Sequence, residues 1–295
     1  MVRHCISPGE DRVHNIYKYT DQIYKIIQFY SDHVRLGPGA REEQTHHDEK
    51  LDSSISRTKR VILEKALCNE WDWFCTLTIS PDKHDRGDLR GWWKRFSQWM
   101  RDLRKRGIPI RYLIVPEKHA DGTWHAHGLL SGIPADELVS FRKMDADGFV
   151  MPSGKRLPSD LIVNDYYNWP AYQEVFGFCS LGTIDNHVAC AFYMCKYITK
   201  DQSRMVTDVG LHSYYVSQGL NGAVKHIDFY GRDPSVDALL VNKYDFCATG
   251  MTHVKHGLDW TFALDLTNHE PLFQQETAVD TYEAFEQMVL NCFDL

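Results

Sequence analysis

Three stretches of the chain show the alternation or clustering of apolar residues that is typical of β-strands. Residues 73–80 place threonines at alternate positions between apolar residues, which predicts a half-buried strand. Residues 111–117 and 124–130 are two further apolar runs, separated by a short segment that contains Asp121-Gly122. This pair is therefore predicted to form a β-hairpin.

Apolar residues at helical spacing predict the helices. The clearest helix extends from a cap at Asp88 to Arg106. A shorter helix is predicted at 58–68, and the spacing of Tyr and Ile in 17–34 also favours a helix. The polar residues 41–56 are interpreted as a loop. The apolar stripe of the clearest helix consists of Leu89, Trp92, Trp93, Phe96, Trp99, Met100 and Leu103.

The connection within the hairpin decides which polar side chains share a face. With a three-residue loop at 120–122, whose glycine completes a bulged turn, Glu117 lies opposite His125 and on the same face as His127. A two-residue turn would instead place Lys118 opposite His125 and turn Glu117 away. The first register is preferred, because a carboxylate and two imidazoles then form the ligand set of a divalent ion.

A His-x-His pair is by itself a weak signal for a metal site, because histidines at strand spacing are common on surfaces and in cores. The carboxylate across the hairpin strengthens it. His119 is interpreted as an exposed loop residue, with a role as a further ligand or proton relay left open.

The segment Tyr193-x-x-Lys196-Tyr197-x-x-Lys200 carries two tyrosines, each followed three residues later by a lysine. It lies in a predicted helix that starts at residue 185 or 186, so both tyrosines face one side with the lysines beside them. One interpretation is an amphipathic helix packed on the sheet. The other is covalent phosphoryl transfer, which needs a phenol, a nearby cation and a metal ion.

Charge is distributed unevenly around a net value of −7. Residues 83–111 hold ten Lys or Arg against three acids, whereas after Lys255 there are eight acids and neither Lys nor Arg. A solvated helix face would explain the basic run, but it also suits phosphate binding. The residues predicted to bind DNA are Arg90, Lys94, Arg95, Arg101, Arg104 and Lys105.

The compartment is predicted from what the composition excludes. No apolar run is long enough to cross a bilayer, and the first residues lack the apolar core of a secretion signal. The eight cysteines form no Cys-x-x-Cys pair and are expected to be reduced. A cytosolic protein without membrane contact is therefore expected.

Three segments together carry a family resemblance: Phe74-Cys-Thr-Leu-Thr-Ile79, Trp124-His-Ala-His-Gly-Leu-Leu130 and the tandem Tyr motif. In this order they resemble the motifs of HUH endonucleases that initiate rolling-circle replication. The paired tyrosines are similar to those of two-tyrosine initiators from small single-stranded DNA phages and bacterial mobile elements. The resemblance spans about 58–233.

The resemblance implies an α+β fold in which an antiparallel sheet of about five strands is flanked by helices. It further implies that His125, His127 and Glu117 bind Mg²⁺ or Mn²⁺, that Tyr197 and Tyr193 are alternating nucleophiles, and that Lys196 and Lys200 orient the phosphate. The domains are then an accessory helical and loop segment at 1–57, a catalytic domain at 58–235 and an acidic extension at 236–295.

The implied activity is nicking and rejoining of single-stranded origin DNA, with a 5′-phosphotyrosine intermediate and a free 3′-OH primer. Because the sequence has no Gly-x-x-x-x-Gly-Lys-Ser/Thr motif, a host helicase is expected to act with a host polymerase in the bacterial cytosol. Three alternatives stay open: a single-strand DNA transposase, a metal-dependent nuclease that uses water, and a DNA-binding regulator without covalent chemistry.

Overall fold

The computed structural model describes residues 13–21, 23–29, 47–151, 154–198, 211–230, 242–243, 247–254 and 269–271. The chain divides into two compact units, one of residues 45–221 with 289–295 and the other of residues 1–44 with 222–288. The predicted division into 1–57, 58–235 and 236–295 stays a prediction.

The secondary structure comprises short and long elements in both units. The strands are β1 Val13–Lys18, β2 Ile23–Phe29, β3 Trp73–Thr78, β4 Arg111–Lys118, β5 Trp124–Ser131, β6 Val139–Ser140, β7 Tyr167–Asn168, β8 Cys179–Thr183, β9 Tyr215–Val216, β10 Val224–Tyr230, β11 Asn242–Lys243, β12 Cys247–Val254 and β13 His269–Pro271. The helices are α1 His47–Leu67, α2 Leu89–Lys105, α3 Phe141–Ala146, α4 Ser159–Val163, α5 Pro170–Val175 and α6 His187–Lys196.

The unit built around residues 45–221 contains an antiparallel sheet with the strand order β6-β7-β8-β3-β5-β4-β9. Helices flank this sheet, so the predicted α+β class is confirmed. In the described part of the unit the sheet has seven strands rather than about five. The difference arises at the edges, where β6, β7 and β9 are only two residues long.

One face of this sheet packs against α2. The Asp88 carboxylate caps the helix by accepting a hydrogen bond of 2.9 Å from the Gly91 amide, as the sequence predicted. Trp92 and Phe96 are buried in the same cluster as Cys75 and Leu77 of β3. Complete burial of an aromatic side chain contributes about 1.5–3 kcal/mol, so this stripe fixes the helix on the sheet.

The opposite face of the sheet carries α6, with α1 packed along it. Side chains alternate between the faces of a strand, so Phe74 points away from the α2 side and meets the edge of Tyr193 of α6 at 5.5 Å. Helix α6 begins after Asn186, whose side chain accepts a 2.9 Å hydrogen bond from the Ala189 amide. The predicted helix start is thereby confirmed.

Helix α1 starts eleven residues before the predicted boundary at residue 58, so the predicted loop is wrong from residue 47 onward. No glycine or proline lies between Gly39 and Pro81 to end a helix there. Ile55, Ile62 and Ala66 are buried along one side of the helix. Tertiary packing of this sparse stripe therefore outweighs the polar composition of the helix.

The helix predicted at 17–34 is wrong for residues 17–29, which belong to the hairpin β1–β2. In β2, Tyr24, Ile26 and Gln28 are buried while the residues between them are more exposed, which is the period of a strand. The two strands belong to a second antiparallel sheet of order β10-β1-β2-β12-β11, with β13 beside β12. Residues 30–34 lie outside the described part.

Two further expectations concern the described residues. Cys68, Cys75, Cys179, Cys190 and Cys195 are free thiols, and burial raises the pKa of Cys179 and Cys190 to about 12. None of the helices in the described ranges has the length and apolar character that a membrane-spanning segment requires. The cytosolic location stays a prediction.

We expect Gly128→Ala to lower the free energy of unfolding by about 2 kcal/mol, because the added Cβ would lie 2.8 Å from the Leu113 carbonyl oxygen and 2.4 Å from Ile114 Cδ1. The control is Gly122→Ala, where no atom lies within 4 Å and only the positive φ of 87° is unfavourable. It should cost about 1 kcal/mol. Urea unfolding of both variants compares them, and an equal loss would contradict the close packing at Gly128.

Candidate active site

The β4–β5 hairpin has the register that brings the predicted ligands together. Glu117 pairs with His125, and Val115 pairs with His127. The loop contains three residues, closed by a 2.8 Å hydrogen bond from the His119 amide to the Thr123 carbonyl, with Gly122 at φ 87°. The predicted three-residue loop is therefore confirmed, and the two-residue turn is excluded.

Glu117, His125 and His127 form the one cluster in the described residues whose ligand atoms could hold a metal ion. The Glu117 Oε2 atom lies 2.9 Å from His125 Nε2 and 3.1 Å from His127 Nε2, and the two nitrogens are 2.9 Å apart. His125 is 6% exposed, whereas the Glu117 side chain is 36% exposed. The cluster is thus rigidly held at its base and accessible at its carboxylate.

The protonation states of the cluster suit metal binding near neutral pH. Hydrogen bonds from His125 and His127 hold the pKa of Glu117 far below its ordinary value, although burial acts in the opposite direction. Burial lowers the pKa of His127, an effect that the Glu117 carboxylate partly offsets. An ionised carboxylate and a neutral imidazole are the forms that coordinate a cation.

Tyr197 directly follows α6 and lies against the ligand cluster. Its ring stacks on the His127 ring with centroids 4.0 Å apart and an interplanar angle of 10°. Tyr193 lies 5.2 Å from Tyr197 and nearly perpendicular to it. The structure therefore brings both tyrosines of the tandem motif to the face of the sheet that carries the histidines.

The environment keeps Tyr197 protonated at neutral pH. Only 7% of its surface is exposed, and this burial is the main reason that its pKa is raised well above the ordinary value. A hydrogen bond with Tyr193 and the nearby charge of Glu117 act in the same direction. Chemistry at the Tyr197 oxygen therefore requires that its proton leaves during the reaction.

The two lysines of the tandem motif have different standings. Lys196 is exposed, with its Nζ atom 5.7 Å from the centroid of the Tyr193 ring. Lys200 lies outside the described residues, as does Thr199. The phosphate-orienting role of both lysines stays a prediction.

The basic residues of α2 lie on the other face of the sheet from the ligand cluster and the tyrosines. All six side chains predicted to bind DNA are exposed. Lys94, Arg95 and Arg101 line a groove of about 580 Å³ together with Gln98 and Val175. Helix α2 thus offers a phosphate-binding surface that is separate from the candidate site.

One polar contact of the site was not predicted from the sequence. The Thr76 Oγ1 atom of β3 lies 3.2 Å from the Nδ1 atom of His127. The alternation of β3 placed Thr76 on a polar face, but nothing in the sequence gave the pairing of β3 with β5.

We expect His127→Ala to weaken Mn²⁺ binding at least about tenfold, because it removes one of three clustered ligands. Calorimetric titration of the purified protein measures the affinity. The matched control is His119→Ala, which removes an exposed ring that stacks on His125 at 3.9 Å and lies outside the ligand cluster. An equal loss in both variants would contradict the assigned ligand set.

Comparisons with known proteins were made for the whole chain. Residues 72–202 match the model of a family of replication-associated proteins of the ORF2 type. Neither the curated proteins nor the solved structures contain a match to the chain. The matched segment includes the ligand cluster and the tandem Tyr motif, and over this segment the chain is similar to replication-associated proteins, which indicates a role in replication initiation.

Proposed function

We propose that this protein initiates rolling-circle replication by nicking and rejoining single-stranded origin DNA through a covalent bond to tyrosine. The observation that carries the proposal is the stacking of Tyr197 on His127, which puts a phenol beside a cluster of metal ligands. The similarity of residues 72–202 to replication-associated proteins supports the same activity. The site would therefore act as an endonuclease and strand transferase.

The ligand spacing favours Mg²⁺ or Mn²⁺ over Zn²⁺. An octahedral ion with bonds near 2.1 Å has neighbouring ligands about 3.0 Å apart, whereas tetrahedral Zn²⁺ separates them by about 3.4 Å. The three edges of the Glu117, His125 and His127 cluster measure 2.9, 2.9 and 3.1 Å. When bound, such an ion would act as a Lewis acid on a non-bridging phosphate oxygen.

Tyr197 is the proposed first nucleophile. Its Oη atom would attack the scissile phosphorus, so that an Oη–P bond forms as the P–O3′ bond breaks. The tyrosine loses its proton and the leaving O3′ gains one, which yields a 5′-phosphotyrosine and a free 3′-OH. Because the ester retains the energy of the broken bond, attack by a 3′-OH can rejoin the strand without a nucleotide.

Tyr193 is the proposed second nucleophile. Its contact with Tyr197 keeps both phenols in one site, so the second could cleave the regenerated origin while the first still holds a DNA end. Tyr197 ranks first because its ring contacts His127, whereas the Tyr193 ring packs against Phe74 and Tyr197. Lys196 and Lys200 would orient the phosphate.

The exposed cations of α2 are proposed to bind the DNA flanking the nick. Their field is local, since the whole chain carries a net charge of −7. DNA that contacts both α2 and Tyr197 must pass around an edge of the sheet, because these elements lie on opposite faces. A host helicase would unwind the origin, and a host polymerase would extend the 3′-OH.

The covalent intermediate is tested by incubating the protein with Mn²⁺ and labelled single-stranded DNA from its own replicon. We expect an adduct at Tyr197 that survives a denaturing gel, with the residue identified by mass spectrometry. Tyr197→Phe should slow adduct formation about a hundredfold, because Tyr193 is displaced from the position of attack. The double variant with Tyr193→Phe should form no adduct.

The other outcomes distinguish the alternatives. Cleavage that persists in the double Tyr→Phe variant would indicate a nuclease that uses water, and binding without cleavage would indicate a regulator. Covalent cleavage of transposon ends in place of a replication origin would indicate a transposase of the same chemistry.

The role of α2 is tested by the salt dependence of DNA binding. Replacing Lys94, Arg95 and Arg101 with Ala should reduce the slope of log K against log salt by about 2, because each lost phosphate contact on a single strand contributes about 0.7. Fluorescence anisotropy with a labelled oligonucleotide measures the slope. The control Gln98→Ala changes the same groove without removing charge and should leave the slope unchanged. An unchanged slope in the triple variant would contradict DNA binding by α2.

A further inference from the structure

The pairing of β3 with β5 places a threonine opposite each histidine of the ligand cluster. Thr76 pairs with His127, and Thr78 pairs with His125. Both threonines point to the same face of the sheet, because they are two residues apart on one strand. They therefore provide an internal comparison of what each hydroxyl does.

The two hydroxyls have different partners. Thr76 Oγ1 lies 3.2 Å from His127 Nδ1. Thr78 Oγ1 donates instead to the carbonyl of Phe178. His125 Nδ1 is buried and has no hydrogen-bond partner in the described part of the chain. Of the two histidines, His127 is thus the one whose outer nitrogen is held by a threonine.

The contact with Thr76 determines which nitrogen of His127 faces the cluster. Packing of the His127 ring against Tyr197 and Phe74 is nearly unchanged if the ring rotates by half a turn about its Cβ–Cγ bond. That rotation would replace Nε2 by a carbon at the position next to Glu117. A hydrogen bond at Nδ1 distinguishes the two orientations, because a carbon cannot take its place.

The same contact selects the tautomer. A histidine that coordinates through Nε2 carries its proton on Nδ1 and donates it to an outer acceptor. In this structure Nε2 of His127 is the nitrogen that faces Glu117 Oε2, at 3.1 Å. The Thr76 hydroxyl oxygen is placed to accept the Nδ1 proton.

We propose that Thr76 is a positioning residue that holds His127 in the ring orientation and tautomer needed to bind the metal ion. This inference rests on the metal site of the proposed function. It gives the first strand motif, Phe74-Cys-Thr-Leu-Thr-Ile79, a chemical role in the site through one of its two threonines. Thr78, on the same face, has a structural role through its bond to Phe178.

Mn²⁺ titration of the full chain without DNA tests the inference with four proteins. Thr76→Val keeps the shape but removes the acceptor, and we expect it to weaken Mn²⁺ binding about tenfold or more. Thr76→Ser restores the hydroxyl and should restore most of the affinity. Thr78→Val should lower the Tm, because it loses the bond to Phe178, but keep the affinity of the wild type.

Nitrogen-15 NMR of the histidine rings provides a second readout that does not depend on activity or on bound metal. The wild type should show His127 protonated on Nδ1, and Thr76→Val should reduce the population of this tautomer. Unchanged affinity and an unchanged tautomer in Thr76→Val would overturn the inference. An equal loss of affinity in Thr78→Val would also overturn it, since the effect would then belong to the strand face in general.

The experiment separates this inference from the proposed function. A wild type that does not bind Mn²⁺ would overturn the metal site itself. In that case the NMR comparison still decides whether Thr76 controls the tautomer of His127, and a tautomer that is the same in both proteins would overturn that role.

Discussion

The left-handed backbone at Gly122 closes a three-residue loop, and this loop sets the register of the β4–β5 hairpin. Because side chains alternate between the faces of a strand, a slip by one residue would turn Glu117 away from both histidines. The carboxylate lies within 3.1 Å of each histidine nitrogen only in the register observed. The candidate site therefore depends on backbone geometry several residues away from its ligands.

The two faces of the main sheet have separate tasks. On one face, Cys75, Leu77 and the apolar stripe of α2 form the core that holds the strands in place. On the other face, the same strands present Thr76 and His127 to Tyr197. Ligands on central strands lose little conformational freedom when they bind, because packing has already fixed them. A metal ion would thus bind to a site that is largely formed beforehand.

The local elements were largely predictable. The strands of the hairpin, the Asp88 cap of α2 and the start of α6 all follow from signals within a few residues of each element. The errors lie where the signal is weak or ambiguous. Residues 17–29 mix Tyr and Ile at spacings that suit either period, and α1 has a polar first half whose helical state depends on the whole helix.

Sequence alone determined the type and order of the elements near the site, the loop of the hairpin and the residue types of the ligand cluster. It did so because these features depend on short-range sterics, capping and alternation. Only the tertiary structure decided that α2 covers one face and α6 the other, that Thr76 meets His127, and that β1 and β2 pair with β10 and β12. Such pairings join residues far apart in the chain. They are selected by the surface that whole elements bury together, and no local window contains that information.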